Sequence, residues 1–169
     1  MHRMTGNPRS LRTAALLCAF AVAAVGLAKA ATAGSAPPPT QRVFTMVAVE
    51  PKGGTTVDKE PFPGEPLPEG QGYVLKAPDP KTGRWEVSTY RWEPSQIVVY
   101  QGDTVVLEIL GVNGDVHPST IEQYVPAFEV RRGRVTRLRF TANTPGFFKI
   151  ECLTHRPSMV GYLVVLPRP

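Results

Sequence analysis

The sequence predicts an all-β sandwich or barrel, and three observations predict it. Short apolar runs recur between turn signals at intervals of roughly 8–12 residues. Within those runs side chains alternate with the period of two that a strand imposes, with Val105, Leu107 and Ile109 on one face and Val106, Glu108 and Leu110 on the other. Beyond residue 33, no stretch repeats its apolar side chains at the helical period.

Residues 1–33 read as a secretory leader. Arg3, Arg9 and Arg12 form a basic start, Ala14 to Ala28 an apolar run, and Ala28-Lys29-Ala30 or Ala31-Thr32-Ala33 a small-residue cleavage site. The run is shorter than the ~20 apolar residues that span a bilayer. The expectation is an exported chain with no stable membrane span after cleavage, periplasmic in a Gram-negative source. Residues 34–41, with three successive prolines, read as an extended linker, and residues 42–169 as one domain whose part from 95 onward is better defined.

The formal charge of +5 belongs largely to the leader, which holds Arg3, Arg9, Arg12 and Lys29. Without them 15 basic residues face 14 acidic ones, so the mature chain has no global attraction to nucleic acid.

Val43 to Glu50 is a β-rich stretch. Pro51 to Gly72, dense in Gly, Pro and acids, is expected to be a loop with little regular structure. Tyr73 to Lys76 and Trp85 to Trp92 read as strands on either side of the turn Pro78-Asp79-Pro80-Lys81-Thr82-Gly83. Trp85 and Trp92 suit core packing, the cover of a sheet face or a subunit contact. Ile97 to Tyr100 leads through Gln101-Gly102-Asp103 into the alternating strand at Val105. Phe128 to Val130 precedes the turn Arg131-Arg132-Gly133-Arg134, after which Thr136, Leu138 and Phe140 share a face. The arginines here, with Arg137 and Arg139, suit a solvated face or the docking of an acidic redox partner. Past Pro145-Gly146, the residues Phe148, Ile150 and Cys152 fall on one face, so the sulfur points the way of the core. Val160 to Leu166 is a closing buried strand.

The chemistry concentrates in Glu-Cys-Leu-Thr-His-Arg-Pro-Ser-Met, which holds Cys152, His155 and Met159. After the leader is removed, Cys152 is the sole Cys and His117 and His155 the sole His. A lone Cys in an oxidising compartment is a reactive thiol, an intermolecular bridge or a metal ligand. Thiolate, imidazole and thioether gathered in one turn, with a second imidazole from His117, match the preferences of mononuclear copper. Zinc also takes Cys and two His, and the Met tips the choice to copper. No Ser/His/Asp arrangement for nucleophilic catalysis is discernible.

From Ser95 to Leu166 the chain resembles the cupredoxin family. The resemblance lies in Gln101-Gly102-Asp103 between two strands, Asp115-Val116-His117 at a strand end, Thr144-Pro145-Gly146-Phe147, and Cys152-x2-His155-x3-Met159 before a final apolar strand. It implies a Greek-key β-sandwich or barrel that binds one copper per monomer through His117, Cys152 and His155, with Met159 as a weak axial ligand. The nearest flavours look like nitrosocyanin and the copper domains of cytochrome oxidase subunit II and nitrous oxide reductase. Those two domains need two Cys in the last loop, and this loop has one, so a mononuclear centre is implied. Nitrosocyanin-like sites use a carboxylate where this chain places His117, which favours a blue-type centre. Glu122 and Tyr124, following His117, are further residues near the expected site. The implied function is one-electron transfer with a redox partner protein, with a homo-oligomer as an open option. The alternatives are a nitrosocyanin-like enzyme or small-molecule sensor with an open coordination position, and a copper storage or delivery protein.

Overall fold

The computed structural model describes residues 38–168, so the expected leader and the first part of the linker lie outside the described residues. Twelve strands and no helix are found among those residues: β1 Gln41–Val49, β2 Lys52–Thr56, β3 Tyr73–Lys76, β4 Arg84–Thr89, β5 Arg91–Glu93, β6 Gln96–Tyr100, β7 Thr104–Gly111, β8 Val116–Ile121, β9 Val125–Arg131, β10 Val135–Thr141, β11 Gly146–Cys152 and β12 Val160–Leu166.

Two sheets make the sandwich. One runs β10-β7-β1-β5 and the other β6-β12-β11-β8-β9. Each holds one parallel pairing, β1 with β7 from Gln41↔Thr104 to Ala48↔Gly111, and β6 with β12 from Gln96↔Tyr162 to Tyr100↔Leu166. The alternation read from the sequence is the cause of the layering. Val105, Leu107 and Ile109 of β7 are fully buried, and Phe148, Ile150 and Cys152 of β11 meet them in one apolar core with Met46, Trp92, Ile121 and Leu163. Each Leu or Ile buried in this way contributes about 1.5–3 kcal/mol.

Asp103, in the turn between β6 and β7, fastens the sandwich at one end. Its carboxylate is wholly buried and accepts bonds from the Thr40 and Tyr100 backbone N–H groups, from Arg42 Nε at 3.1 Å and from Arg168 Nη2 at 2.7 Å. Burial pushes this carboxyl up, but the two N–H groups and the Arg42 guanidinium outweigh burial and hold it below its ordinary value of 3.8.

A third sheet, β2-β4-β3, corrects two expectations. Pro51 to Gly72 is not all loop, because β2 pairs with β4 from Lys52↔Ser88 to Thr56↔Arg84. Its sequence, Lys-Gly-Gly-Thr-Thr, carries no apolar alternation, and backbone pairing rather than side-chain burial defines it. Trp85 to Trp92 is two strands, not one. The chain leaves the small sheet at Thr89, paired with Tyr73, and enters the large one at Arg91, paired with Val49. Tyr90 sits at the switch between sheets.

Both Trp side chains pack inside. Trp92 is fully buried in the core, while Trp85 donates its indole N–H to the Glu60 carbonyl at 3.1 Å beneath the edge of Phe62. On the outer face Arg131 pairs with Glu129 and Arg137 with Glu108, and Arg139 donates to Gln41.

Candidate metal centre

β8 and β11 bring the donors together. On β8, His117, Ser119 and Ile121 are the inward positions, and Ser119 lies directly opposite Cys152 at the end of β11. His117 is therefore the diagonal same-face neighbour of Cys152, within reach of a long side chain. The chain then turns back on itself. Leu153 N–H bonds the Pro118 carbonyl at 2.8 Å, Met159 N–H the His155 carbonyl at 2.9 Å and Cys152 N–H the Met159 carbonyl at 3.1 Å. This closed loop brings His155 round to the sulfur.

The three donor atoms form a compact triangle. His117 Nδ1 lies 3.1 Å from His155 Nδ1, and Cys152 Sγ lies 3.4 Å from His155 Nδ1 and 3.8 Å from His117 Nδ1. A point equidistant from these three atoms falls about 2 Å from each, close to the ~2.0–2.1 Å and ~2.3 Å of imidazole and thiolate bonds to a first-row ion such as zinc. Among the described residues, these three form the cluster able to hold a metal ion.

The surroundings suit such an ion. His117 Nε2 lies 2.7 Å from the Asn113 carbonyl, which can only accept, so Nε2 carries the proton and Nδ1 offers its lone pair to the triangle. Burial lowers the pKa of both imidazoles, and for His155 the neighbouring His117 lowers it further, so both are neutral donors. Burial pushes the Cys152 thiol up, so a metal must displace its proton to bind. The donor set, one thiolate and two neutral imidazoles with no carboxylate, is one that copper and zinc both accept.

Every expected ligand is inside the protein. His117, Cys152 and Met159 have no exposed surface and His155 is 9 % exposed. Met159 ends the ligand loop, its backbone bonded to both Cys152 and His155. Glu122 and Tyr124 do not join the cluster. The Glu122 carboxylate accepts from Lys149 N–H, and Tyr124 packs on Phe140 and Phe148 with its hydroxyl on the Thr144 carbonyl.

Sequence reasoning missed two contributors. Tyr90 lays its ring over His155, centroids 3.8 Å apart and planes 23° from parallel, and Asn113 fixes His117 through its carbonyl. A turn signal, Asn113-Gly114-Asp115, was available for the second. Gly114 has φ +76°, and a Cβ there would lie 2.6 Å from His117 Cε1. Trp92 completes the enclosure, its ring edge-on to His117 at 6.1 Å.

No protein-family model matches the sequence, and no curated protein matches it. Among solved structures the chain is similar to a chain of a heme-copper terminal oxidase dimer, at 21% identity and a TM-score of 0.38 over 43% of this chain and 51% of that one. It is also similar to a multicopper oxidase, mgLAC, at 15% identity and a TM-score of 0.47 over 76% of this chain and 40% of that one. The chain thus spans about half the length of the first and less of the second. The fold is all-β, a two-sheet sandwich that brings a His/Cys/His cluster together at the ends of β8 and β11.

Proposed function

We propose that this protein is an exported electron carrier that binds one copper ion through His117, Cys152 and His155, with Met159 as a weak axial donor. The observation that carries the reading is the triangle of buried donor atoms, 3.1, 3.4 and 3.8 Å on its sides. Bound copper supplies a one-electron couple. The chain's own part is to hold both imidazoles neutral, to orient His117 through the Asn113 carbonyl, and to exclude water from the donors. Mixed soft and imidazole ligands on a preformed frame suit both oxidation states, which keeps rearrangement small. The enclosure of all four side chains supports a closed carrier over an enzyme or sensor with an open coordination position.

Absorption and EPR spectra of the copper-loaded protein test the site, and voltammetry tests the role. An intense thiolate-to-copper band that vanishes in Cys152→Ser, with one copper per chain and a reversible couple, is the expected result. A band that survives Cys152→Ser overturns the ligand assignment. Tight Cu(I) binding without a reversible couple turns the reading to storage or delivery.

A further inference from the structure

Tyr90 does more than fill space beside the cluster. It is contributed by the link between the small sheet and the large one, and it is tied to the ligand loop at several points. Tyr90 N–H bonds the Gly72 carbonyl at 2.9 Å, and Gly72 N–H bonds the Arg156 carbonyl at 2.9 Å. The Ser158 hydroxyl lies 2.7 Å from the Gly72 carbonyl and 2.8 Å from the Tyr90 carbonyl, and shares its one proton between them. Gly72 is a glycine because the contact is that close. A Cβ at this position would fall 2.6 Å from the His155 carbonyl oxygen and would collide with the Ser158 hydroxyl.

These bonds clamp the chain at Gly72 and at Tyr90 onto Arg156 to Ser158, the segment directly after His155. The phenol ring then lies flat on the imidazole, which leaves His155 only 9 % exposed although it sits in a turn. Nothing in the ligand chemistry demands this. Three donors would gather without Tyr90, since β8, β11 and their connecting bonds already bring them together.

We propose that Tyr90 is a positioning residue that fixes the plane of the His155 ring and closes the metal site to water and small anions. The inference rests on the copper reading for its effect on potential, but the closure itself does not need the metal. A covered site disfavours the more highly charged oxidised ion, because the surroundings of a metal control its access to solvent and its local dielectric. Removing the ring should therefore lower the reduction potential, and the phenol hydroxyl should matter little.

Copper-loaded wild type, Tyr90→Phe and Tyr90→Ala are titrated with azide and their midpoint potentials measured. In parallel, metal-free protein is treated with diethyl pyrocarbonate, and the rate of His155 modification is read by mass spectrometry. The expected result is that wild type and Tyr90→Phe ignore azide and modify slowly. Tyr90→Ala should gain an azide-to-copper band, fall in potential and modify His155 at least tenfold faster. Gly72→Ala, which lifts the clamp while leaving the ring in the chain, should move the same way and serves if Tyr90→Ala does not fold. A folded Tyr90→Ala with wild-type azide response, potential and modification rate overturns the proposal. A wild type that lacks the thiolate-to-copper band overturns the copper reading instead, and the modification rates then decide the closure alone.

Discussion

The Nδ1 atoms of His117 and His155 face one another at 3.1 Å, across 38 positions of sequence. Because the Asn113 carbonyl takes the proton of His117 Nε2, His117 Nδ1 presents a lone pair to the space it shares with His155 Nδ1 and the Cys152 sulfur. A cation held there, with the His155 proton on Nε2, would meet two lone pairs and the Cys152 sulfur at once.

Replacing His117 with Ala should remove one corner of the triangle and leave a gap lined by Tyr90 and Trp92. Copper should bind more weakly and with an altered EPR spectrum, and added imidazole should restore the wild-type spectrum. Failure of imidazole to change the spectrum would exclude His117 from the ligand set.

Gly114→Ala is expected to act on the site without replacing a ligand. The new methyl meets the His117 ring, and a φ of +76° strains any side chain. A stability loss of about 1–2 kcal/mol should accompany a shifted copper spectrum. Thermal unfolding with absorption spectroscopy checks both; a wild-type spectrum would mean that the ring can move without cost.

Met159→Leu should leave copper bound and coloured while raising the reduction potential, because loss of a weak donor disfavours Cu(II) more than Cu(I). Voltammetry decides the matter. If potential and spectrum both stay put, Met159 is core packing alone, as its complete burial would also allow.

Copper is expected to stabilise the fold without being required for it. The core of Trp92, Leu107, Ile109, Ile121, Ile150 and Leu163 is apolar and closed by strand pairing of its own. Metal-free protein should keep its β-sheet circular dichroism, and copper should raise the melting temperature by mass action on the native state. An unfolded apo-protein would contradict this.

Asp103→Asn should cost about 2–4 kcal/mol at neutral pH, because it leaves the Arg168 and Arg42 guanidinium groups without their carboxylate. The pH dependence has a defined sign. The folded-state pKa is depressed, so the stabilisation is complete above the ordinary carboxylate value and is lost as pH falls through the folded-state pKa. Wild type and Asp103→Asn should therefore converge in acid denaturant titrations and diverge toward neutrality. A gap that does not change with pH would assign the residue's role to shape alone.

Much of this site was legible in the chain. Cys152 lies on the face of Phe148 and Ile150, and period-two alternation alone directs its sulfur inward; the structure buries all three. The scarcity of His and Cys pointed to His117 and His155. What could not be read was anything held by backbone alone or by distant partners. β2 forms from Lys-Gly-Gly-Thr-Thr because β4 offers it an edge, and no side-chain pattern announces that. Tyr90 looks like one more strand aromatic between Thr89 and Arg91, and its meaning comes from a stack on a residue 65 positions later.

The two parallel pairings have a consequence for how the molecule is made. Gln41 must find Thr104 and Leu166 must find Tyr100, so each sheet is joined by contacts roughly sixty residues apart. Such closures cost chain entropy before any contact rewards them, and they make folding slow. The ligand loop between β11 and β12 is closed instead by local bonds, Met159 N–H to the His155 carbonyl and Cys152 N–H to the Met159 carbonyl, and needs neither distant pairing to take its shape. The slow step expected in making the molecule is therefore the search of the polypeptide for its own far end.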